Sequence, residues 1–381
     1  MSRVDKRMEV TRVQISVAQD LWSYLESTEK TVVLYGMGNG ADKILAVCEQ
    51  KGITVSDFFA SDGFVRGHLF HGKPVLSWSE IKEKYGAEKV IVLLSFGTSR
   101  EDVLENIERI EREAELYAPD VPAFGDGVFD LEFFNAHKEE LERAYRLLSD
   151  DESRKIFENV IAFKLTGRID FLRDAESDMA VAQQKLVCPE KLHTVADLGA
   201  YNGDTVREIL AVSGSVTRVY AMEPDARNFK KLQAYAEGET RAEVVPIHAG
   251  AWSKAETLHF DASGNRNASF GANRSEVLSD RPVKWKEIEA LPLDEVLQGA
   301  SVDYIKYDVE GAEHEAIHGS QSSIRACLPT LLVSLYHRNE DLYDLPLLLK
   351  EQFPAYEGYY LRRKRGVPAW DLNLYVRKEK I

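Results

Sequence analysis

The sequence predicts an α/β protein built on two mostly parallel sheets, and three observations carry that prediction. Short apolar runs of strand length alternate with segments of helical periodicity along most of the chain. Two of those runs break into glycine-bearing turns that open directly into helices, Thr31-Val-Val-Leu-Tyr-Gly-Met-Gly-Asn-Gly-Ala41 and Val195-Ala-Asp-Leu-Gly-Ala-Tyr-Asn-Gly-Asp-Thr205. At 381 residues with 44% hydrophobic content, the chain is also long enough to fill two cores.

Taken in order, the first glycine turn is followed by a helix through Cys48 and a second strand over 53–60. A turn-rich stretch covers 61–74, a helix 79–85, an apolar strand 90–96 and a helix 99–110. Residues 1–125 therefore read as a small Rossmann-like α/β unit. Its turn fits G-x-G-x-x-A at Gly36, Gly38 and Ala41, with Asp62 near the place of a ribose-binding acid. Over 126–190 the pattern is helical, with Leu141, Tyr145, Leu148, Ile156, Phe157, Val160, Ile161 and Phe163 on apolar faces. Asp150-Asp-Glu-Ser153 marks a helix start there and Thr166-Gly167 a stop. Residues 191–381 hold seven strands: 195–198, 219–222, 244–248, 304–308, 331–336, 358–361 and 373–377. The last two, with no helix between them, should form an antiparallel hairpin. An insertion over 260–286 carries the polar, glycine-rich Ser263-Gly-Asn-Arg-Asn-Ala-Ser-Phe-Gly271 and reads as a loop near a pocket.

Charge and cysteine content narrow the class. The net charge of −15 repels phosphate backbones and argues against a nucleic-acid substrate. The basic run Arg362-Arg-Lys-Arg365 reads as a solvated edge between two strands rather than an anion patch. Cys48, Cys188 and Cys327 are single and widely spaced, which suits buried thiols in a reducing cytoplasm. No apolar run reaches membrane-spanning length and residues 1–20 lack a signal-peptide core, so a soluble cytoplasmic protein is expected.

The second glycine turn carries the chemistry. Asp197 ends a strand, Gly199 and Gly203 let backbone approach a ligand, and Thr205 lies in the helix start. The next strand ends in Glu223-Pro-Asp225, where an acid can hold a ribose through its two hydroxyls. An aspartate before the turn and no basic residue within it disfavour a pyrophosphate and suit a cationic cofactor, S-adenosyl-L-methionine. The expected cofactor residues are Asp197, Gly199, Ala200, Asn202, Gly203, Asp204, Thr205, Glu223, Pro224, Asp225 and Asp308. His248 and Trp252 lie where an adenine edge would pack.

Asp303-Tyr-Ile-Lys-Tyr-Asp-Val-Glu-Gly-Ala-Glu313, with Pro292-Leu-Asp-Glu295 upstream, resembles the signature of FkbM-type methyltransferases. The resemblance runs from about Thr194 to Arg377 and implies a class I methyltransferase sheet, S-adenosylmethionine as cofactor and O-methylation of a hydroxyl on a sugar or polyketide, here read as a carbohydrate or sugar-containing acceptor. Ser269 in the insertion would then touch the cofactor or the acceptor. The N-terminal unit is similar to the Rossmann-like domain of bacterial sugar acyltransferases, chiefly in Gly72-Lys-Pro-Val75 and the 90–96 strand. That likeness implies either a nucleotide or nucleotide-sugar pocket or a domain kept for docking.

In a doubly wound sheet, ligands collect beyond the carboxyl ends of the strands, so Asp308 and His337 should flank one mouth. His337, neutral near pH 7, could accept the hydroxyl proton while Asp308 orients it. Alternatively Asp308, Glu310 and His337 could hold a divalent cation such as magnesium. Lys306 and Glu313 have weaker claims, as an ion-pair partner and a helix-start acid. The competing functions are a noncatalytic nucleotide-sugar module and an NAD-linked enzyme using Gly36, Gly38 and Asp62.

Overall fold

A computed structural model describes residues 17–261 and 285–381, apart from 62, 64, 66, 68 and 126, together with 13 and 15. Asp62, Ser269 and the centre of the 260–286 insertion lie outside the described residues.

The N-terminal unit opens with α1 (Leu21–Ser27), capped by Asp20, whose carboxylate accepts from Ser23 N. There follow β1 (Thr31–Tyr35), α2 (Asn39–Gln50), β2 (Val55–Ala60), β3 (Leu69–Phe70), β4 (Lys73–Ser77), α3 (Trp78–Tyr85), β5 (Val90–Leu94), α4 (Glu101–Glu113) and β6 (Glu115–Tyr117). The sheet order is β3-β4-β2-β1-β5-β6, parallel except for β3. All five residues of Val-Ile-Val-Leu-Leu in β5 are buried, as a continuous β-branched and leucine run in a covered parallel sheet should be. The stretch expected to be turns over 61–74 contains β3 and the start of β4. Its alternation is too short to register as a strand, and only pairing with β2 reveals it.

The helical region supplies α5 (Leu131–Ala136), α6 (Lys138–Leu147), α7 (Asp151–Thr166), α8 (Ile169–Arg173) and α9 (Met179–Ala182). Helix α7 begins and ends at the expected signals: Asp150 caps it through Ser153 N, and Gly167 closes it in the left-handed conformation.

Next come β7 (Thr194–Leu198), α10 (Asp204–Val212), β8 (Arg218–Met222), α11 (Ala226–Gly238), β9 (Glu243–Ile247), β10 (Gly250–Ala251), β11 (Glu256–Asp261), β12 (Trp285–Leu291), α12 (Leu293–Leu297), β13 (Tyr304–Tyr307), α13 (Glu313–His318), α14 (Gln321–Cys327), β14 (Thr330–Ser334), α15 (Asp341–Gln352), β15 (Gly358–Arg363) and β16 (Leu372–Arg377). The seven-stranded sheet runs β15-β16-β14-β13-β7-β8-β9, with β16 antiparallel to both its neighbours. The expected closing hairpin is therefore present. The described flanks of the insertion pair as the antiparallel strands β11 and β12 of a small three-stranded sheet.

One buried cluster runs from Val33 and Val92 of the N-terminal sheet through Ile156 and Phe157 of α7 to Ile305 and Val333 of the C-terminal sheet. A second, with Val206, Ile209 and Leu232, fills the opposite face of the C-terminal sheet. Against expectation, Arg362 and Arg363 are buried. Arg362 reaches the α7 start, 2.6 Å from Asp150 and 3.2 Å from Glu152, and Arg363 donates to Leu172 O at 2.8 Å. The acids that allow this burial lie some 210 positions earlier in the chain, so the local run could not disclose it. Among the described residues, no helix is long and apolar enough to cross a membrane.

Candidate active site

The carboxyl ends of β7, β8, β13 and β14 form one acidic mouth. Asp197 ends its strand with no exposure, and register places Lys306 of β13 directly opposite it. The Lys306 ammonium lies 3.4 Å from Asp197 Oδ1 and 3.2 Å from Asp308 Oδ2. Burial works against the Lys306 charge, but the two carboxylates outweigh it and raise its pKa. Burial also opposes ionisation of Asp308, and Lys306, His337 and Tyr336 outweigh it and hold Asp308 down at about 2. Asp197 Oδ2 is buried without a hydrogen-bond partner, the state of an acceptor awaiting a donor.

Backbone shapes the turn after β7. Gly199 has φ +84, and a Cβ there would lie 1.9 Å from Asp308 O, so only glycine lets the turn pass the end of β13. Gly203, φ +82, packs beneath Tyr235 of α11. Ala200, expected at the cofactor, is buried in the core instead, its amide donating to Met222 O. Asn202, Asp204 and Thr205 occupy the more open side, where Asn202 Oδ1 and carbonyl accept from Arg207 and Asp204 accepts from Thr205 N.

Glu223 follows β8 directly, its carboxylate facing the turn. Its oxygens accept from Tyr201 N at 2.7 Å and Asp225 N at 2.8 Å. Burial pushes it up to about 7, against the pull of those two amides. Pro224 links it to Asp225, whose Oδ1 caps α11 through Arg227 N and Asn228 N. That carboxylate oxygen serves the helix, not a ligand. His248 is exposed and stacks on Phe229, and Trp252 donates to Glu256.

His337 follows β14 and is 1% exposed. Its Nδ1 lies 2.9 Å from Glu313 Oε1, and its Nε2 lies 3.4 Å from Glu310 Oε2 and 3.6 Å from Asp308 Oδ1. The angles at both ring nitrogens fall outside hydrogen-bond geometry. Burial disfavours the imidazolium, yet Glu313, Glu310 and Asp308 together raise its pKa to about 10. This departs from the expected neutral imidazole: the acidic groups around His337 raise its pKa and favour the imidazolium at pH 7, a poor proton acceptor and metal ligand. The divalent cation expected on Asp308, Glu310 and His337 does not fit, since Asp308 is already engaged by Lys306 and by the Tyr336 hydroxyl at 2.8 Å. Glu313, His337 and Asp341 also place one donor atom each within 4.8 Å of one another, fully buried around the same imidazolium.

Two residues here were missed or misjudged in sequence. Tyr336, adjacent to His337, donates to Asp308. Glu310 stands in a left-handed backbone, φ 55, and burial pushes its carboxyl up to about 8. Its partly exposed side chain and near-neutral pKa make it the group best matched to take a proton in this mouth.

Comparison with known proteins agrees with this architecture. Over 91% of its length the chain superposes on 90% of a solved structure, the methyltransferase FkbM from Methylobacillus flagellatus, with 20% identity and a TM-score of 0.65. The fold is thus that of a methyltransferase. Residues 197–358 match the model of the methyltransferase FkbM domain. More distant similarity, over roughly half of the chain, extends to an rRNA methylase from Streptococcus thermophilus (10% identity, 54% of this chain and 98% of that one, TM-score 0.35). The same holds for an Aeropyrum pernix fibrillarin bound to S-adenosyl-L-methionine (15% identity, 52% and 73%, TM-score 0.33). No curated protein matches the chain by sequence.

Proposed function

We propose that the C-terminal unit transfers a methyl group from S-adenosylmethionine to a hydroxyl of a carbohydrate or sugar-containing acceptor. The observation that carries this reading is the buried, unpartnered Asp197 Oδ2 beside the Gly199 turn, with the Glu223 carboxylate at the end of the next strand. A buried acceptor among acids calls for a cationic donor, which the ammonium of the cofactor provides. Asp197, Gly199, Asn202, Gly203, Asp204 and Thr205 would hold the β7 side, and Glu223 and Pro224 the ribose. When bound, the cofactor supplies a methyl carbon made electrophilic by its sulfonium.

The chain's own groups handle the acceptor. Glu310 takes the hydroxyl proton, and His337, kept cationic 3.4 Å away, stabilises the Glu310 carboxylate before the transfer. Asp308, fixed by Lys306 and Tyr336, orients the hydroxyl. The test is a pH–rate profile with isotopically labelled S-adenosylmethionine. Turnover should rise with pH, reach half its plateau near pH 8 and level off above it as Glu310 ionises. Glu310→Gln should cut it by about two to four orders of magnitude and leave S-adenosylhomocysteine affinity unchanged. A Glu310→Gln enzyme with the wild-type rate and profile refutes the assignment.

A further inference from the structure

We propose that the N-terminal unit supplies the acceptor-side wall of the methyl-transfer mouth, with Lys43 positioning the 122–125 segment and Phe124 covering Gly311 and His337. This rests on the reading of the mouth given above.

Lys43 lies on α2. Its ammonium donates to the carbonyls of Pro122, at 3.0 Å, and Ala123, at 2.6 Å, and so fixes the two residues before Phe124. Its pKa is lowered to about 8 by burial and partly restored by the Glu310 carboxylate, which places the lysine within the field of the proposed proton acceptor. Phe124 then crosses to the other unit. Its amide donates to His337 O at 3.0 Å, and its ring lies 6.1 Å from the imidazole. It also lies over Gly311, φ +87, where a Cβ would sit 3.0 Å from the phenyl carbon Cδ2. On the far side of Gly311, Arg338 Nε donates to its carbonyl at 3.1 Å. The segment therefore touches both chain neighbours of the mouth, Gly311 next to Glu310 and His337 itself. In this proposal a hydroxyl approaching Glu310 meets the Phe124 ring.

A reciprocal contact also joins the two units. Trp370, from the loop between β15 and β16, rests on Gly97 after β5, where any Cβ would lie 2.1 Å from the indole. Thr98 and Val367 exchange backbone hydrogen bonds beside it at 2.8 and 3.0 Å. The Trp370 indole remains 39% exposed. The Phe124 face beside Gly311 and His337, with an ionised Asp308 3.6 Å from His337 Nε2, suits an uncharged, hydroxyl-bearing ring compound and disfavours an anionic one.

The experiment uses the full chain, as wild type, Phe124→Ala, Lys43→Met and the conservative Lys43→Arg. Each protein receives labelled S-adenosylmethionine and a dilution series of small-molecule extract from the cells that naturally produce it, and S-adenosylhomocysteine affinity is measured by calorimetry. For Phe124→Ala and Lys43→Met, half-saturation should need about tenfold more extract, a larger change than any in the plateau rate, with S-adenosylhomocysteine affinity within about twofold of wild type. Lys43→Arg should recover most of the difference. Unchanged half-saturation overturns the wall, and so does an equal loss of S-adenosylhomocysteine affinity, which would mark the residues as merely structural. Absence of labelled product from the wild type as well defeats the methyl-transfer reading and the wall with it.

Discussion

The two glycine turns, one at the mouth of each sheet, look alike in sequence and differ in what surrounds them. After β1, two glycines of the N-terminal turn pack against their own protein: a Cβ on Gly36 would lie 2.6 Å from the Phe96 ring and from Ser95 Oγ, and one on Gly40 only 2.2 Å from Ser95 O. After β7, the C-terminal turn meets the buried carboxylates of Asp197 and Glu223, one with an unpartnered oxygen and one with its pKa raised to about 7. Glycine spacing reports that backbone must come close to something. Only the acids at the strand ends report that the something is a ligand.

The largest effect that sharpens this contrast is expected at Gly199. Alanine there meets both an unfavourable φ and the Asp308 carbonyl, and should cost about 3 kcal/mol or more in chemical denaturation, together with all measurable S-adenosylhomocysteine binding. Gly38→Ala, at φ +134 but with nothing within 4 Å, should cost only about 1 kcal/mol and leave that binding intact. Equal loss of binding in both variants would erase the distinction between the turns.

A smaller effect concerns Glu223. Its folded pKa is raised above the ordinary 4.5 to about 7, so the neutral form is the favoured one when folded. Its stabilising contribution is fully present below pH 4.5 and is lost as pH rises through 7, a change of about 3 kcal/mol. Glu223→Gln should therefore melt higher than wild type at pH 8 in the absence of ligand, with the difference shrinking toward pH 5, and it should bind S-adenosylhomocysteine about tenfold more weakly. A variant that melts below wild type at pH 8 would show that the carboxylate is not strained.

Much of the C-terminal sheet was legible because its strands are apolar runs ending in polar residues, and Asp197, Glu223 and Asp308 stood at those ends. Some of the pairing was legible too: Lys306 and Asp308, two apart on one strand, share a face. The charge state of His337 was not, since it depends on Glu310 and Glu313 folding back around the imidazole from the loop after β13. Burial of Arg362 and Arg363 depended on α7, far away in sequence. The strands β4 and β6 were missed because a strand of three to five residues declares itself only through its neighbours. Ala200 and Asp225 were placed at the cofactor by their position in the motif, yet one fills the core and the other caps a helix.

The central claim is that one of the two turns, the C-terminal one, holds the adenosyl cofactor. Calorimetric titration of S-adenosylhomocysteine into the full chain tests it most directly. The account predicts one site per chain, with binding weakened about a hundredfold by Asp197→Ala and unaffected by Gly38→Ala. Binding that survives Asp197→Ala and disappears in Gly38→Ala would contradict it.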